Sequence, residues 1–478
     1  MTLASLNLQP VLPEIVLAAM ACVILLIDPF LPRRGPTVSY ALTLLTLAAL
    51  FVITLVQMDG TVRMSFDGMV VNDPMADLMK LTVYVLVAAV LMMSRTYLRQ
   101  RGIDKGEYYM LALFGVLGMM ITISSNHLLL LFLGLELLSL AMYAMTAFKR
   151  DDGRASEAAI KYFILGALAS GIMLYGMSLL YGVTGELTLT SIAHSVAAGE
   201  GSLALKAAVV MIVAGAVFKM GVAPFHMWLP DVYDGAPTAV TLYLAAAPKI
   251  ATLALLMRLL VDGMGPLFSD WQPVLIVVAM LSMAIGNVIA IAQTSFKRML
   301  TYSTISHVGF ILLGLLAGTS EGYAAALFYT IAYAVMTVGG FGIILLLARQ
   351  GFEAEDLADL KGLNDRSPVM AFAFLLLMFS MAGIPFTFGF WAKLAVLQAI
   401  VGVGLWWLAI FAVITAVIGA FYYLRAVKMV YFDQPEDSSP IEADINVRGV
   451  IALSGAAMLI FGLYPTGLTV LTAGAFGL

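Results

Sequence analysis

Apolar runs of about 20 residues, the length that carries an α-helix across a bilayer, recur along nearly the whole of this 478-residue chain. Fourteen can be marked, at roughly 12–31, 38–58, 73–94, 107–124, 126–148, 156–183, 204–229, 237–261, 270–292, 298–317, 322–348, 368–400, 405–430 and 449–472. A water-soluble domain carries roughly 25% charged residues. Here only 11% are charged and 62% hydrophobic, so lipid must cover much of the surface. The expected fold is all-α and integral to the membrane, with about 14 transmembrane helices. No basic segment precedes the first run, which contains Glu14 and Asp28, so it reads as a spanning helix and not as a removable leader. Three connections, 184–203, 349–367 and 431–448, are longer and more polar than the rest.

The net charge of −4 gives no reason to expect nucleic acid as a partner. Cys22 is the one cysteine, which excludes an internal disulfide framework and a protein-ligated iron–sulfur cluster. The four histidines, His127, His194, His226 and His307, are scattered, and no helix holds two in register for a haem. No cofactor and no metal is therefore expected in this chain. Any electrons involved in its function travel elsewhere.

Basic residues orient the spans, because connections on the inside collect Lys and Arg. If the N-terminus is outside, 17 basic residues fall in inside connections, beginning with Arg33 and Arg34, against only Arg63 and Lys206 outside. Both termini are expected on the outer face. Six basic residues remain within or bordering spans: Lys80, Lys161, Lys219, Lys249, Arg258 and Lys393.

A shift of about 161 residues lays "GVAPFHMW" (221–228) over "GIPFTFGFW" (383–391), with Pro224–Phe225 on Pro385–Phe386. The fourth to eighth spans then fall on the ninth to thirteenth. Five helices per unit is odd, so the second unit must enter the membrane with the opposite orientation, the inverted repeat of many ion transporters. The expected organisation is an N-terminal three-helix segment (1–106), a first five-helix repeat (107–261), an inverted second repeat (262–430), and a loop with a C-terminal helix (431–478). The helices broken by proline are the seventh and the twelfth.

Glu136, Lys219 and Lys249 each lie near the middle of a span. Facing lipid there would cost each at least roughly 2.5–3.5 kcal/mol, so they must face protein or water. A salt bridge clamping two helices is the bland reading for one such residue; three at similar depth, joined by Lys393, argue for a transport path. The prolines add to this. Pro224 leaves the carbonyl of Met220 without its helical amide, Pro248 does so for Leu244, and Pro385 for Met381. Free carbonyls in hydrocarbon are tolerable only where protein or a hydrated cavity meets them. Lysine suits proton carriage because burial lowers the pKa of an ammonium readily, while an arginine stays charged. His226, seven residues after Lys219, is placed either to relay protons inward or simply to pack. Lys161 opens the sixth span and reads first as snorkelling to the inside surface, with a pathway role second. Arg258 is expected to snorkel outward, and Lys80 to pair locally with Asp73 or Asp77.

The segments "EAAIKYFILGALASG", "FKMGVAPFHMWLPDVYDGAPT", "FKRMLTYSTISHVGF" and "AGIPFTFGFWAKL" resemble the signatures of the antiporter-like subunits of complex I and of multisubunit cation/proton antiporters. The resemblance covers most of spans 4 to 13. It implies a midplane row of ionisable residues on Glu136, Lys219, Lys249 and Lys393, with Lys161 and His226 at further positions the family uses. Of the three types in complex I, the M-type carries a glutamate where Lys393 stands, and the L-type continues into a long lateral helix. Lys393 and a chain stopping at Leu478 point to the N-type. The resemblance further implies proton translocation in the cell inner membrane, driven by quinone reduction in NADH–quinone oxidoreductase. Flavin, iron–sulfur clusters and quinone belong to partner subunits, and the M-type and small K-, J- and A-type subunits are expected as neighbours. The alternatives are a subunit of a sodium/proton antiporter or of a membrane-bound hydrogenase.

Overall fold

A computed structural model of the chain describes residues 6–31, 35–199, 202–436 and 439–478. Arg33 and Arg34, used in the orientation argument, lie outside the described residues. The elements are helices α1 (Leu12–Ile27) and α2 (Gly35–Gln57), strands β1 (Arg63–Ser65) and β2 (Val70–Asn72), then α3 (Pro74–Gln100), α4 (Gly106–Ser124), α5 (Leu128–Thr146), α6 (Gly153–Thr184) and α7 (Leu189–Ala198). Next come α8 (Leu203–Met220), α9 (Trp228–Gly235), α10 (Thr238–Ala245), α11 (Pro248–Leu256), α12 (Phe268–Ile291), α13 (Phe296–Leu316) and α14 (Ser320–Leu347). The chain closes with the single turn α15 (Leu363–Arg366), then α16 (Pro368–Ala382), α17 (Phe388–Gly402), α18 (Trp406–Phe432), α19 (Ile445–Leu463) and α20 (Thr466–Gly474).

Thirteen helical stretches among the described residues are long and apolar enough to cross a membrane, with α10, α11 and the π-helical turn Met257–Gly263 forming one of them. The expected span over 368–400 is instead the pair of shorter apolar helices α16 and α17, so thirteen such stretches stand where about 14 were expected. Two features go beyond the apolar pattern. A short antiparallel hairpin pairs Arg63 with Asn72 through Ser65 with Val70, and the polar stretch 184–203 contains the helix α7.

Polar caps fix where the helices begin, because the first amides of a helix need acceptors. The Asp73 carboxylate accepts from the Ala76 amide to start α3, and Ser295 Oγ accepts from the Arg298 amide to start α13. Asp444 takes the amides of Asn446 and Val447 at the head of α19. Asp152, at the head of α6, accepts from the Lys149 ammonium and the Arg154 amide, which hold its carboxyl below the ordinary range. At the other end of α6, Gly185 closes the helix in the left-handed region, with φ 71°.

Helices α10, α11, α13 and α14 are buried almost throughout, whereas α1, α2, α18 and α19 bury only a stripe. The centre of the molecule is thus a bundle of helices hydrophobic on every side, ringed by helices that present their outer faces to lipid or to neighbours. The two peripheral cations depart from expectation. Arg258 does not snorkel: it is buried, forks onto both oxygens of Asp73 (2.8 and 3.0 Å), and donates to Asp262 and to the carbonyl of Ile123 (both 3.0 Å). Lys80 pairs not with Asp73 or Asp77 but with Glu14 of α1, at 2.7 Å, and donates to Asn72. Asp73 was taken by a residue far along the chain, so Lys80 found a carboxylate on a different helix. A buried charge left unpaired is far more costly than either pairing.

Candidate functional site

Helix α8 stops at Met220 because Gly221 takes a left-handed φ of 78°, a conformation a side chain resists. The expected crossing over 204–229 is accordingly a half-helix, a turn through 221–227, and the short α9. Helix α16 ends the same way at Gly383, with φ 87°, before α17 begins at Phe388. Each half-helix points its last carbonyls, and the negative end of its dipole, into the protein interior.

Side chains from elsewhere meet those carbonyls. The Lys249 ammonium donates to the carbonyl of Met220 at 2.7 Å, and Trp228 Nε1 to that of Phe218 at 3.0 Å. Tyr233 Oη donates to the carbonyl of Leu244, the one Pro248 leaves open, at 3.1 Å. At the second break Lys393 donates to the carbonyls of Met381 (3.0 Å) and Ala382 (2.8 Å). The carbonyls of Met220, Leu244 and Met381, opened by Pro224, Pro248 and Pro385, have thus each acquired a side-chain donor, two of them a lysine. A cation at a helix C-terminus is the favourable sign for that dipole.

Lys219, in the last turn of α8, does not cap its own helix. Its ammonium donates to Ser139 Oγ at 2.9 Å and to Glu136 at 3.3 Å. Glu136 and Ser139 share a face of α5, three residues apart. Ser170 of α6 donates to the same Glu136 oxygen. The carboxylate therefore sits where α5, α6 and α8 meet, with two donors of different strength on one oxygen. Lys219 and Lys249 line a common cavity of about 20 Å³ with Ser139 and Thr252. That is room for one water molecule, and these four side chains supply the polar partners a buried water needs.

The remaining candidates fall outside this group. Lys161 lies in the N-terminal part of α6, paired with Glu157 and Asp231 (both 2.8 Å). His226 lies in the turn of the first break, its carbonyl accepting from the Leu229 amide; among the described residues its Nδ1 has no partner and no bond joins it to Lys219.

A further buried group was not singled out in the sequence. His307 of α13 holds Tyr329 Oη at 2.8 Å through Nδ1 and Tyr423 Oη at 2.9 Å through Nε2, and Tyr423 is also bonded to Ser303. Tyr333 donates to Thr304 nearby on the same pair of helices. Tyr329 stacks on Phe310, and the Lys393 ammonium lies 5.3 Å from the centre of that same ring, within reach of a cation–π attraction. The hint in the sequence is a histidine inside the apolar run of α13, with Tyr329 and Tyr333 one turn apart on α14.

Half-helices that end inside the bundle, lysines on the carbonyls they leave open and a half-buried carboxylate beside one of them define an antiporter-like, ion-translocating membrane subunit. Residues 125–419 match the family described as "NADH:quinone oxidoreductase/Mrp antiporter, TM", and the chain belongs to it. Within that family its place is with subunit N: NADH-quinone oxidoreductase subunit N of Thioalkalivibrio sulfidiphilus is 56% identical over 477 residues, 99% of each chain. Among solved structures, a chain of respiratory complex I from Thermus thermophilus with bound aureothin superposes with a TM-score of 0.84 at 32% identity, covering 97% of this chain and 100% of that one. A chain of the Mrp complex from Dietzia sp. DQ12-45-1b shares the fold, with a TM-score of 0.85 at 21% identity over 98% and 97% of the two chains.

Proposed function

We propose that the chain is a proton-translocating membrane-arm subunit of NADH–quinone oxidoreductase, and that Glu136, Lys219, Lys249 and Lys393 carry the protons. The observation that supports this most is the pair of lysines on opened helix ends. An ammonium there makes charge-assisted bonds to the carbonyls of a helix end, and the neutral amine makes only weaker ones, so proton loss also loosens the side chain. Glu136 and Lys219 form the paired end of the row. Lys249, on the carbonyl next to Lys219, joins that pair to the rest, and Lys393 is the terminal site. His226 and Lys161 act at the inner side.

The driving energy comes from quinone reduction in other subunits, which also hold the flavin and iron–sulfur clusters. Residues 107–261 and 262–430 act as two repeats of opposite orientation, with the paired breaks at Gly221 and Gly383 as their matching points. Both termini face the periplasm. Partner subunits of the M-type and of the small K-, J- and A-types flank the chain. The Glu136 side chain is 23% exposed on a stripe of α5 with Leu133 at 62% and Leu140 at 54%. A carboxylate at that depth is too costly to leave against lipid, so a neighbouring subunit covers this face.

The test is Lys249→Ala in the intact complex, reconstituted in vesicles with assembly checked. Coupled turnover and pumping should fall together. Pumping at the wild-type rate by assembled complex would falsify the row.

A further inference from the structure

At the inner ends of α6 and α9 a polar cavity of about 120 Å³ opens between Arg154, Glu157, Lys161, Asp231, Asp234 and Arg298. Acid and base alternate through it. Lys161 pairs with Glu157 and Asp231; Asp231 also faces Arg298 at 3.6 Å, and Asp234 takes Arg298 at 3.5 Å and Arg154 at 3.3 Å. Glu355, from the connection after α14, reaches Arg154 at 3.4 Å and Lys297 at 2.8 Å. The cluster is open at Arg154, which is 62% exposed, and closed at Lys297, which is 1% exposed and donates to the carbonyls of Asp234 and Ala236. Balanced charge lets such a cluster accept a proton at one member and give it up at another without ever becoming a strongly charged patch.

The helices that form this cavity also form the wall of the midplane one. One turn further into the membrane on α6, Tyr162 follows Ala158; on α9, Trp228 precedes Asp231 by three residues. The two rings stack 4.6 Å apart and nearly parallel, and Tyr143 stands edge-on against Tyr162. Both rings line the small cavity shared by Lys219 and Lys249. The Tyr162 hydroxyl donates to the sulfur of Met142, at 3.9 Å, and the Trp228 N–H is committed to the carbonyl of Phe218. One stacked aromatic pair thus lies between two polar spaces. Trp228 is the first residue after the break and is bonded to the end of α8. Any motion of α8 that repositions Lys219 must pull on the ring.

Building on the proton row proposed above, the geometry points to the inner cavity as the mouth where protons load, with Asp231 and Lys161 as its acid–base pair. The stacked Tyr162 and Trp228 are the barrier between that mouth and the midplane lysines. In inverted membrane vesicles, whose bulk solution bathes the inner face, Asp231→Asn should lower turnover more steeply as the pH rises and protons become scarce. Added imidazole, a mobile proton donor, should restore part of the loss. Trp228→Ala should lower the protons moved per NADH oxidised severalfold while assembly persists, and Trp228→Phe, which keeps a ring in the stack, should recover most of the coupling. A loss in Asp231→Asn that is flat with pH and blind to imidazole, or full coupling in Trp228→Ala, overturns the mouth and barrier. Lys249→Ala, run alongside, separates the cases. If it fails to pump while the Asp231 and Trp228 variants behave as wild type, the row stands and this inlet does not. If it pumps normally, the row itself has failed.

Discussion

The two broken helices end alike and are used differently. Both stop on a left-handed glycine, and a lysine caps the carbonyls each leaves open. At the first break the cap is Lys249, sent across from α11, and the lysine native to the broken helix, Lys219, is left to bind a carboxylate. At the second the cap is Lys393, from the other half of the same broken helix. Among the described residues no carboxylate lies within salt-bridge distance of it; its other neighbour is the Phe310 ring. One break therefore carries an ion pair whose partner can be moved. The other carries a lone cation held by a helix end. A charge held by an opposite charge responds to displacement of that charge; a charge held by carbonyls responds mainly to its own protonation.

The largest effect should come from breaking the ion pair. If the proposed row carries the protons, Lys219→Ala removes one carrier and leaves Glu136 bonded to Ser170, and pumping should fall by about 10²-fold or more, the scale for losing a positioned proton-transfer group. The measurement is proton uptake by reconstituted vesicles per assembled complex. Near-normal uptake would mean that the first break is structural only. Glu136→Gln should lose most of the activity and Glu136→Asp only part, because the charge must persist and the one-methylene retreat can be bridged by water. Equal activity in the two variants would assign Glu136 to packing and leave the first break no different from the second.

Lys393 separates capping from proton carriage. Arginine at 393 can donate to the carbonyls of Met381 and Ala382 but does not release a proton. Glutamate exchanges a proton and donates to a carbonyl only when neutral. Alanine does neither. If Lys393 carries protons, Lys393→Glu should pump more than Lys393→Arg and Lys393→Ala. Should the arginine variant be the most active of the three, the second break needs a cap and nothing else, and the row ends at Lys249.

Much of this contrast could be read from the residues in order. The spanning helices were legible because a helix in lipid must be apolar for about 20 residues. Both breaks were legible because glycine and proline mark them, and the carbonyls left open by Pro224, Pro248 and Pro385 were named from chemistry that acts within four residues. What meets those carbonyls was not legible. Lys249 is 29 residues from Met220, Arg258 is 185 from Asp73, and no local rule links either pair. Lys80 shows the same limit, since the nearest acids in sequence were not the ones it met. The His307 cluster was hidden for another reason. Tyrosine and threonine inside a spanning helix look like ordinary core residues until their hydroxyls are seen to converge. Lys161 illustrates the limit once more, since of its two partners Glu157 is four residues away and Asp231 is 70.

The smallest effects concern the glycines that end the two half-helices, and they test whether the second break depends more closely on its cap. Alanine at Gly221 or Gly383 must adopt a left-handed φ, at a cost of about 1–2 kcal/mol in either place. The difference lies in what the new methyl group meets. At Gly221 the nearest atom is a Leu229 methyl at 3.0 Å, which a rotamer change moves aside. At Gly383 it is the Lys393 stem, 2.8 Å from Cδ and 3.3 Å from Nζ. That side chain is flexible too, so the clash itself is cheap; the consequence is that the ammonium leaves the carbonyls of Met381 and Ala382. Exposing those buried acceptors adds roughly 1–3 kcal/mol. Gly383→Ala should therefore lower the thermal stability of the assembled complex more than Gly221→Ala, and should alone reduce pumping at temperatures where both remain folded. Equal losses in the two variants would show that the lysine is not what holds the second half-helix open. The contrast between the breaks would then rest on Glu136 alone.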